Sequence, residues 1–428
     1  MKKLIPQGMA LLMLFLISIG VPAKDTSSGK LLSDWISVHL KLVRTTQGVA
    51  HVAYSRHFSY TAIACYESAI IGDKKYRSLA GQLQGLNSLP LFTSPTQGEP
   101  AASANAAYAV MLRHFYGKNS NAYLIDSTEA ANIAWLQQCG VTKDALSASS
   151  EFGKSVALAI IQWSETDGSE KADAPYSPPA GEGKWQLTPP SFSKAAMPYW
   201  ENMRSLVSGS GTNVFAKMPP QYSLDPNSDY QKMVKEVYDV SLHLSEEQKN
   251  IALFWDDSPG EHLTVFGHWS SIVAQLIDAK KLSLMSGTEA YVKMHIALQD
   301  ATMVAWHGKY LYNVLRPVSN IQKTMKAGWL PLIETPPHPE FPAAHATFST
   351  AAATGLTSAL GEGVAFTDNT YAYLGMPARK FPSIKDAAKE AGRSRLYGGI
   401  HYSFSINEGS AIGERTALNA LKKLKFKN

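Results

Sequence analysis

Cysteine is almost absent. The 428 residues contain two, Cys65 and Cys139, and their spacing is not that of a metal site. Whether they bridge or stay as free thiols is open at this level. Beyond the N-terminus no apolar run reaches the roughly 18 residues a membrane span needs. Alternation of apolar and polar residues never persists, which argues against a sheet protein. There is no Gly-rich nucleotide loop after a strand, no His-Glu-x-x-His and no Gly-x-Ser-x-Gly, and haem or iron-sulfur ligation has no motif. Charge of one sign is scarce too. The net charge is +5, and the one dense basic run, Lys422-Lys423-Leu424-Lys425-Phe426-Lys427, reads as a solvated helix end. Nucleic-acid binding therefore has no support.

What is present is an ordinary globular balance, 45% apolar and 18% charged, in a chain long enough to bury a large core. Lys2-Lys3, the apolar stretch Met9 to Val21 and the small-residue site Val21-Pro22-Ala23 predict a signal peptide over 1–23. The expected location is periplasmic or secreted. No cysteine stands near the cleavage site to carry a lipid anchor.

Apolar residues at three-four spacing predict an all-α protein of two packed helical bundles. The N-terminal helical half spans 24–166 and the C-terminal one 221–428. Between them 167–220 is rich in Pro, Gly and isolated aromatics and reads as an irregular connector wrapped over the core. The longest predicted helix runs from Thr288 to about Leu315, with Pro317 ending it. Further helices are expected over Thr61–Ile71, Ser127–Gln138, Ser149–Ser164, His345–Leu360, Ser383–Ala391 and Ile406–Lys423.

Three basic motifs fall in the last third. Lys309 and Arg316-Pro317 sit in KYLYNVLRP, Pro342 and His345 in FPAAH, and Ser394, Arg395 and His401 in SRLYGGIH. Lys309 and Arg316, seven residues apart, are expected on the long helix, on one face two turns apart. His345 stands at the start of a small-residue helix, where backbone N–H groups, that of Ala344 among them, can hold anionic oxygens. Arg395 can grip two oxygens through its planar fork. The double glycine suggests a turn that presents His401. Together these residues suit a compact, highly charged oxyanion such as phosphate or vanadate.

The spacings Lys-x6-Arg-Pro, Pro-x-x-His and Ser-Arg-x5-His resemble the superfamily that joins vanadium-dependent haloperoxidases to type 2 phosphatidic acid phosphatases and class A acid phosphatases. DAPYSPPAGEGKWQLTPP, LFWDD, GHW and DATMVAWHGKYLYNVLRP extend the resemblance to the long bacterial haloperoxidase branch. The resemblance implies that Lys309, Arg316, Arg395 and the Ala344 N–H hold the oxyanion. It implies that His401 ligates vanadium and that His345 is the acid/base partner. Trp306 and His338 fall where haloperoxidases line the halide side. The implied cofactor is vanadate, with phosphate able to take the same site. The implied substrates are hydrogen peroxide and a halide, iodide or bromide favoured. The alternatives are a phosphomonoesterase working through a phosphohistidine at His401, or a catalytically weakened oxyanion-binding protein. A homodimer is a further expectation.

The chain departs from the family pattern twice. Ala343 and Ala344 replace the usual Ser-Gly of the middle motif, which removes a hydroxyl donor. Ser405 replaces the Asp that usually orients the last histidine, so a carboxylate must come from elsewhere, with Asp256, Asp257 and Glu408 as the expected sources.

Overall fold

The computed structural model describes residues 28–95, 97–258 and 260–428. The predicted signal segment lies outside the described residues. The chain is all-α, as its periodicity predicts. In order the helices are α1 (Ser28–Thr45), α2 (Tyr54–Ala69), α3 (Pro100–Tyr116), α4 (Tyr123–Gln138), α5 (Lys143–Ser164), α6 (Asp229–Leu242), α7 (Glu246–Phe254), α8 (Val265–Lys280) and α9 (Leu284–Tyr312). They continue with α10 (Pro317–Thr324), α11 (Ala344–Leu360), α12 (Ile384–Tyr397) and α13 (Ser403–Leu421). A two-stranded antiparallel hairpin, β1 (Phe366–Asp368) and β2 (Arg379–Phe381), interrupts the last third.

Local chemistry sets many of the helix starts. Thr142, Ser228, Ser245, Thr264 and Ser283 each accept a first-turn N–H through the side chain. Ser245 and Gln248 form a reciprocal capping box. Thr142 starts α5 earlier than the apolar pattern alone suggests.

The long helix α9 packs against α2, α11 and α13. The largest buried apolar cluster extends from Leu31 to Phe426, so both halves of the chain share one core. Close crossings rely on missing side chains. A Cβ on Gly413 of α13 would lie 2.1 Å from the Thr347 carbonyl oxygen on α11.

The connector is irregular as expected, with two short 3-10 turns, and buries Trp185 and Trp200. Cys65 and Cys139 are both free thiols. The basic C-terminal run departs from expectation. α13 stops at Leu421, Leu424 and Phe426 are buried, and Lys427 pairs with Glu289 of α9 at 2.8 Å. Apolar residues within the run pull it back onto the core. Among the described residues, no helix is long and apolar enough to cross a membrane.

One prediction that bears on the site is wrong. Lys309 and Arg316 do not share a helix. Asn313 adopts the left-handed conformation (φ 51°) and caps α9 after Tyr312. Val314 then bridges to Lys184 of the connector, and Arg316 is the N-cap of α10. Pro317 begins a helix at its first position instead of ending one.

Candidate active site

The break after Tyr312 brings the first motif together by another route. Lys309 stays on α9, while Arg316 swings across from the start of α10. Both are fully buried. Lys309 Nζ donates to the carbonyls of Pro339 (2.9 Å), Glu340 (3.3 Å) and Pro342 (2.7 Å). Three acceptors require three N–H groups, which only the ammonium has. Burial, and then the charge of Arg316, push its pKa well below the usual lysine value, with Glu340 opposing. Arg316 donates to the carbonyls of His338 (2.8 Å), Ile400 (3.0 Å) and Pro336 (3.4 Å). It also reaches His401 Nε2 at 3.2 Å and His338 Nδ1 at 2.9 Å. Burial lowers its pKa to about 10.

The third motif lies on α12 and the turn after it. Arg395 is buried, donating to Ser394 Oγ at 3.0 Å and to the Trp255 carbonyl. Gly399, at φ 78°, turns the chain so that His401 faces Arg316. Among the described residues, Lys309, Arg316 and Arg395 have no carboxylate within ion-pair distance. All three are cations removed from water, a costly arrangement without a nearby anion.

The carboxylate that orients His401 is Glu340, and not Asp256, Asp257 or Glu408. Its Oε1 accepts from His401 Nδ1 at 2.8 Å and from the Tyr402 N–H at 3.1 Å. Its Oε2 accepts from Ser405 Oγ at 2.5 Å. Ser405 thus supports the histidine through Glu340 instead of touching it. Glu408 pairs with Lys217 at 3.5 Å, and Asp256 accepts from Ser258. These partners assign the His401 tautomer: the proton sits on Nδ1, and the Nε2 lone pair is turned to Arg316. Burial, followed by the charges of Arg316 and Lys309, keeps the ring neutral by lowering its pKa well below the ordinary range.

The middle motif begins α11. Ala343 is its N-cap without a side-chain cap, and the Ala344 N–H takes no protein acceptor among the described residues. His345 Nε2 lies 3.5 Å from Asp257 Oδ2, and among the described residues neither atom has a closer partner. Burial and the charge of Arg395 lower the His345 pKa to about 3, with Asp257 opposing. Trp306 and His338 meet with ring centroids 5.1 Å apart. The Trp306 indole N–H is taken by the Ala196 carbonyl of the connector at 3.2 Å. His338 Nδ1 accepts from Arg316, which leaves the proton on Nε2.

All the predicted residues converge, and some unpredicted ones join them. His51, from the short turn before α2, lies 6.2 Å ring to ring from His345. Its Nε2 accepts the Val265 N–H at 3.2 Å, so its proton is on Nδ1. Burial lowers its pKa to about 4. Nothing local in the sequence marks it, because it is 294 residues from His345. Glu340 had a local signal, a carboxylate two residues before Pro342 in an apolar stretch.

The fold has known relatives. The chain is 30% identical to a bacterial vanadium-dependent iodoperoxidase of known crystal structure, at a TM-score of 0.86 over 94% of this chain and 97% of that one. The chain belongs to the vanadium-dependent haloperoxidase family. Residues 289–427 match the family model for the second helical-bundle domain of VCPO. A bacterial vanadium-dependent chloroperoxidase shares the fold at 14% identity. Its holo-type structure matches at a TM-score of 0.63, over 90% of this chain and 95% of that one, and its apo-type structure at 0.65, over 90% and 96%. Comparison with curated proteins gives no match. In this vanadium haloperoxidase the Glu340–Ser405 pair and the Ala343-Ala344 helix start stand where the sequence departs from the family pattern.

Proposed function

We propose that this haloperoxidase binds vanadate among Lys309, Arg316, Arg395, the Ala344 N–H and His401, and oxidises iodide with hydrogen peroxide. The supporting observation is the His401 Nε2 lone pair, held by Glu340 and set among three buried cations that lack ion-pair partners among the described residues. A nitrogen lone pair on one side and fixed positive charge on the others suit an oxyanion whose central atom accepts nitrogen. The N–H groups of Lys309 and Arg316 already meet protein acceptors, so an oxyanion would share them through three-centre bonds. When bound, vanadate supplies Lewis-acid activation of peroxide without a change of oxidation state.

The protein's own part is charge stabilisation and proton handling. Oxidation of a halide X⁻ follows H2O2 + X⁻ + H⁺ → HOX + H2O, so one proton is consumed per turnover. His345, neutral and facing Asp257, is the residue that takes up and releases that proton. His338 Nε2–H and the Trp306 ring border the halide side. Iodide is the preferred halide for two reasons. It is the most easily oxidised of the three, and a donor set lacking the Ala343 hydroxyl suffices for it. The 30% identity to an iodoperoxidase agrees with this. Export through the N-terminal segment completes the proposal, and mass analysis of the secreted protein for a chain starting at Lys24 tests it.

The activity test loads the protein with orthovanadate and measures peroxide-dependent oxidation of iodide, bromide and chloride. The vanadate-free protein is assayed in parallel on p-nitrophenyl phosphate. Iodide oxidation that is strict for vanadate is expected. Fully bound vanadate without halide oxidation would refute the proposal. Phosphate-ester hydrolysis abolished by His401→Ala would point to phosphatase chemistry instead.

A further inference from the structure

Behind His345 lies a second histidine that the reaction above does not use. His268, on α8, is fully buried. Its Nδ1 is 2.8 Å from Asp257 Oδ1, and its Nε2 is 2.8 Å from Asp368 Oδ2. An ionised carboxylate can only accept, so an imidazole flanked by two of them must donate from both nitrogens. That is the charged imidazolium. Trp255 stacks on the ring at 4.3 Å, and Phe254 and Tyr371 close its edges at 5.4 and 5.0 Å. The ionisable groups facing the ring are Asp257 from the loop after α7, Asp368 from β1 and Tyr371 from the segment after β1. Tyr371 donates its own hydroxyl to the same Asp257 Oδ1.

We propose that His268 is a positioning residue, a permanent imidazolium that keeps Asp257 ionised and, by holding Oδ1, leaves Oδ2 turned to His345. The idea rests on the haloperoxidase reading for its purpose and on the geometry alone for its charge. Two carboxylates and one imidazolium leave a net charge of −1. That single charge faces His345 and Arg395. Without His268, two carboxylates would be buried in the same region, and one would protonate. Asp368 prevents the alternative in which the ring turns away from Asp257. Its other oxygen is held by the Thr370 N–H at 2.9 Å.

A proton shuttle through the same atoms does not fit. Burial works against the charged ring, yet the two carboxylates raise its pKa to about 10. Burial also works against the Asp257 anion, yet His268 and His345 hold its pKa well below the ordinary carboxylate range. Passing the proton from ring to carboxylate is therefore strongly uphill, and a fixed countercharge is the role that remains.

The first test needs no turnover. Vanadate-free protein labelled with ¹⁵N only at histidine should show His268 with both ring nitrogens protonated at pH 8. A neutral imidazole there overturns the proposal. The second test is His268→Gln, which fills the space without charge. The acid limb of the kcat/KM profile for iodide should move up by about one pH unit or more. Vanadate affinity measured by calorimetry should be little changed. An unmoved acid limb in a folded variant overturns the proposal. Should His268→Gln fail to fold, Asp368→Asn takes its place, since it keeps an acceptor on Nε2. The His268 signals should then lose their proton at lower pH than in the parent, and unchanged signals overturn the proposal. Wild-type protein without halide oxidation would sink the functional reading and leave the nitrogen spectrum to decide this one.

Discussion

Glu340 and His401 are 61 residues apart in sequence and 2.8 Å apart in space, with carboxylate Oε1 against imidazole Nδ1. The contact decides which ring nitrogen carries the proton and so which one keeps its lone pair. Glu340→Gln replaces the anion with a neutral amide that supports the lone-pair nitrogen less strongly. Vanadate affinity should fall about 10- to 100-fold. Calorimetric titration with orthovanadate checks this, and an unchanged affinity would remove Glu340 from the site.

Ser405 holds the other oxygen of the same carboxylate. Ser405→Ala should cost about 2 kcal/mol in urea unfolding, the scale of one hydrogen bond to a charged group. Ser405→Asp is more informative, because it installs the residue the family usually carries there. It should weaken this protein, since it sets a second carboxylate against a buried first one. Activity should return in the double variant Glu340→Gln, Ser405→Asp. A gain of activity in the single variant would show that Glu340 does not hold the charge.

Ala343 caps α11 without a side-chain acceptor. Ala343→Ser supplies the missing hydroxyl at a helix N-cap. Stability should rise by about 1 kcal/mol, and vanadate should bind more tightly. Thermal melting with and without vanadate separates the two effects.

Gly413 lets α13 touch α11. Gly413→Ala would push a methyl group to 2.1 Å from the Thr347 oxygen. The cost should be on the order of 3 kcal/mol. Because α11 begins with Ala344 and His345, kcat/KM should fall as well. A variant of unchanged stability would mean that the two helices can separate freely.

The His268 cluster also sets a pH window for stability. The folded pKa of His268 is raised from 6.5 to about 10, against the effect of burial, by Asp257 and Asp368. Its contribution is complete below pH 6.5 and fades as pH rises toward 10. Asp257 and Asp368 are shifted the other way, below 3.8. Their contribution is present above that value and is lost as pH falls through the folded pKa. The stability difference between the parent and His268→Gln should therefore shrink steadily from pH 6.5 to 10 in urea titrations. A difference that is constant over that range contradicts the assignment.

Much of the molecule is legible in the sequence because helices are local. Three-four spacing with Ser or Thr caps marks most of them, and the three motifs mark the cations and both site histidines. What escapes is long-range. The break at Asn313 depends on one residue adopting a left-handed conformation, and Pro317 reads equally well as an end or a beginning. The hairpin that delivers Asp368 has three-residue strands, too short for a periodic signal. The partner of His401 depends on which of several carboxylates the fold brings within 3 Å. Spacing along the chain carries no such information.

Ala196, on the connector, accepts hydrogen bonds from both Trp306 and Tyr310 of α9. His51 arrives from the first quarter of the chain, and Asp257 and His268 from the middle. The stretch 289–427 that matches the family model contains every cation and both histidines of the three motifs, but none of these four residues. A gene fragment limited to that stretch would encode a positive cleft without Asp257, His268, His51 or its cover. The heritable unit of this chemistry is nearly the whole chain, and shuffling of the motif-bearing bundle alone would not transmit it.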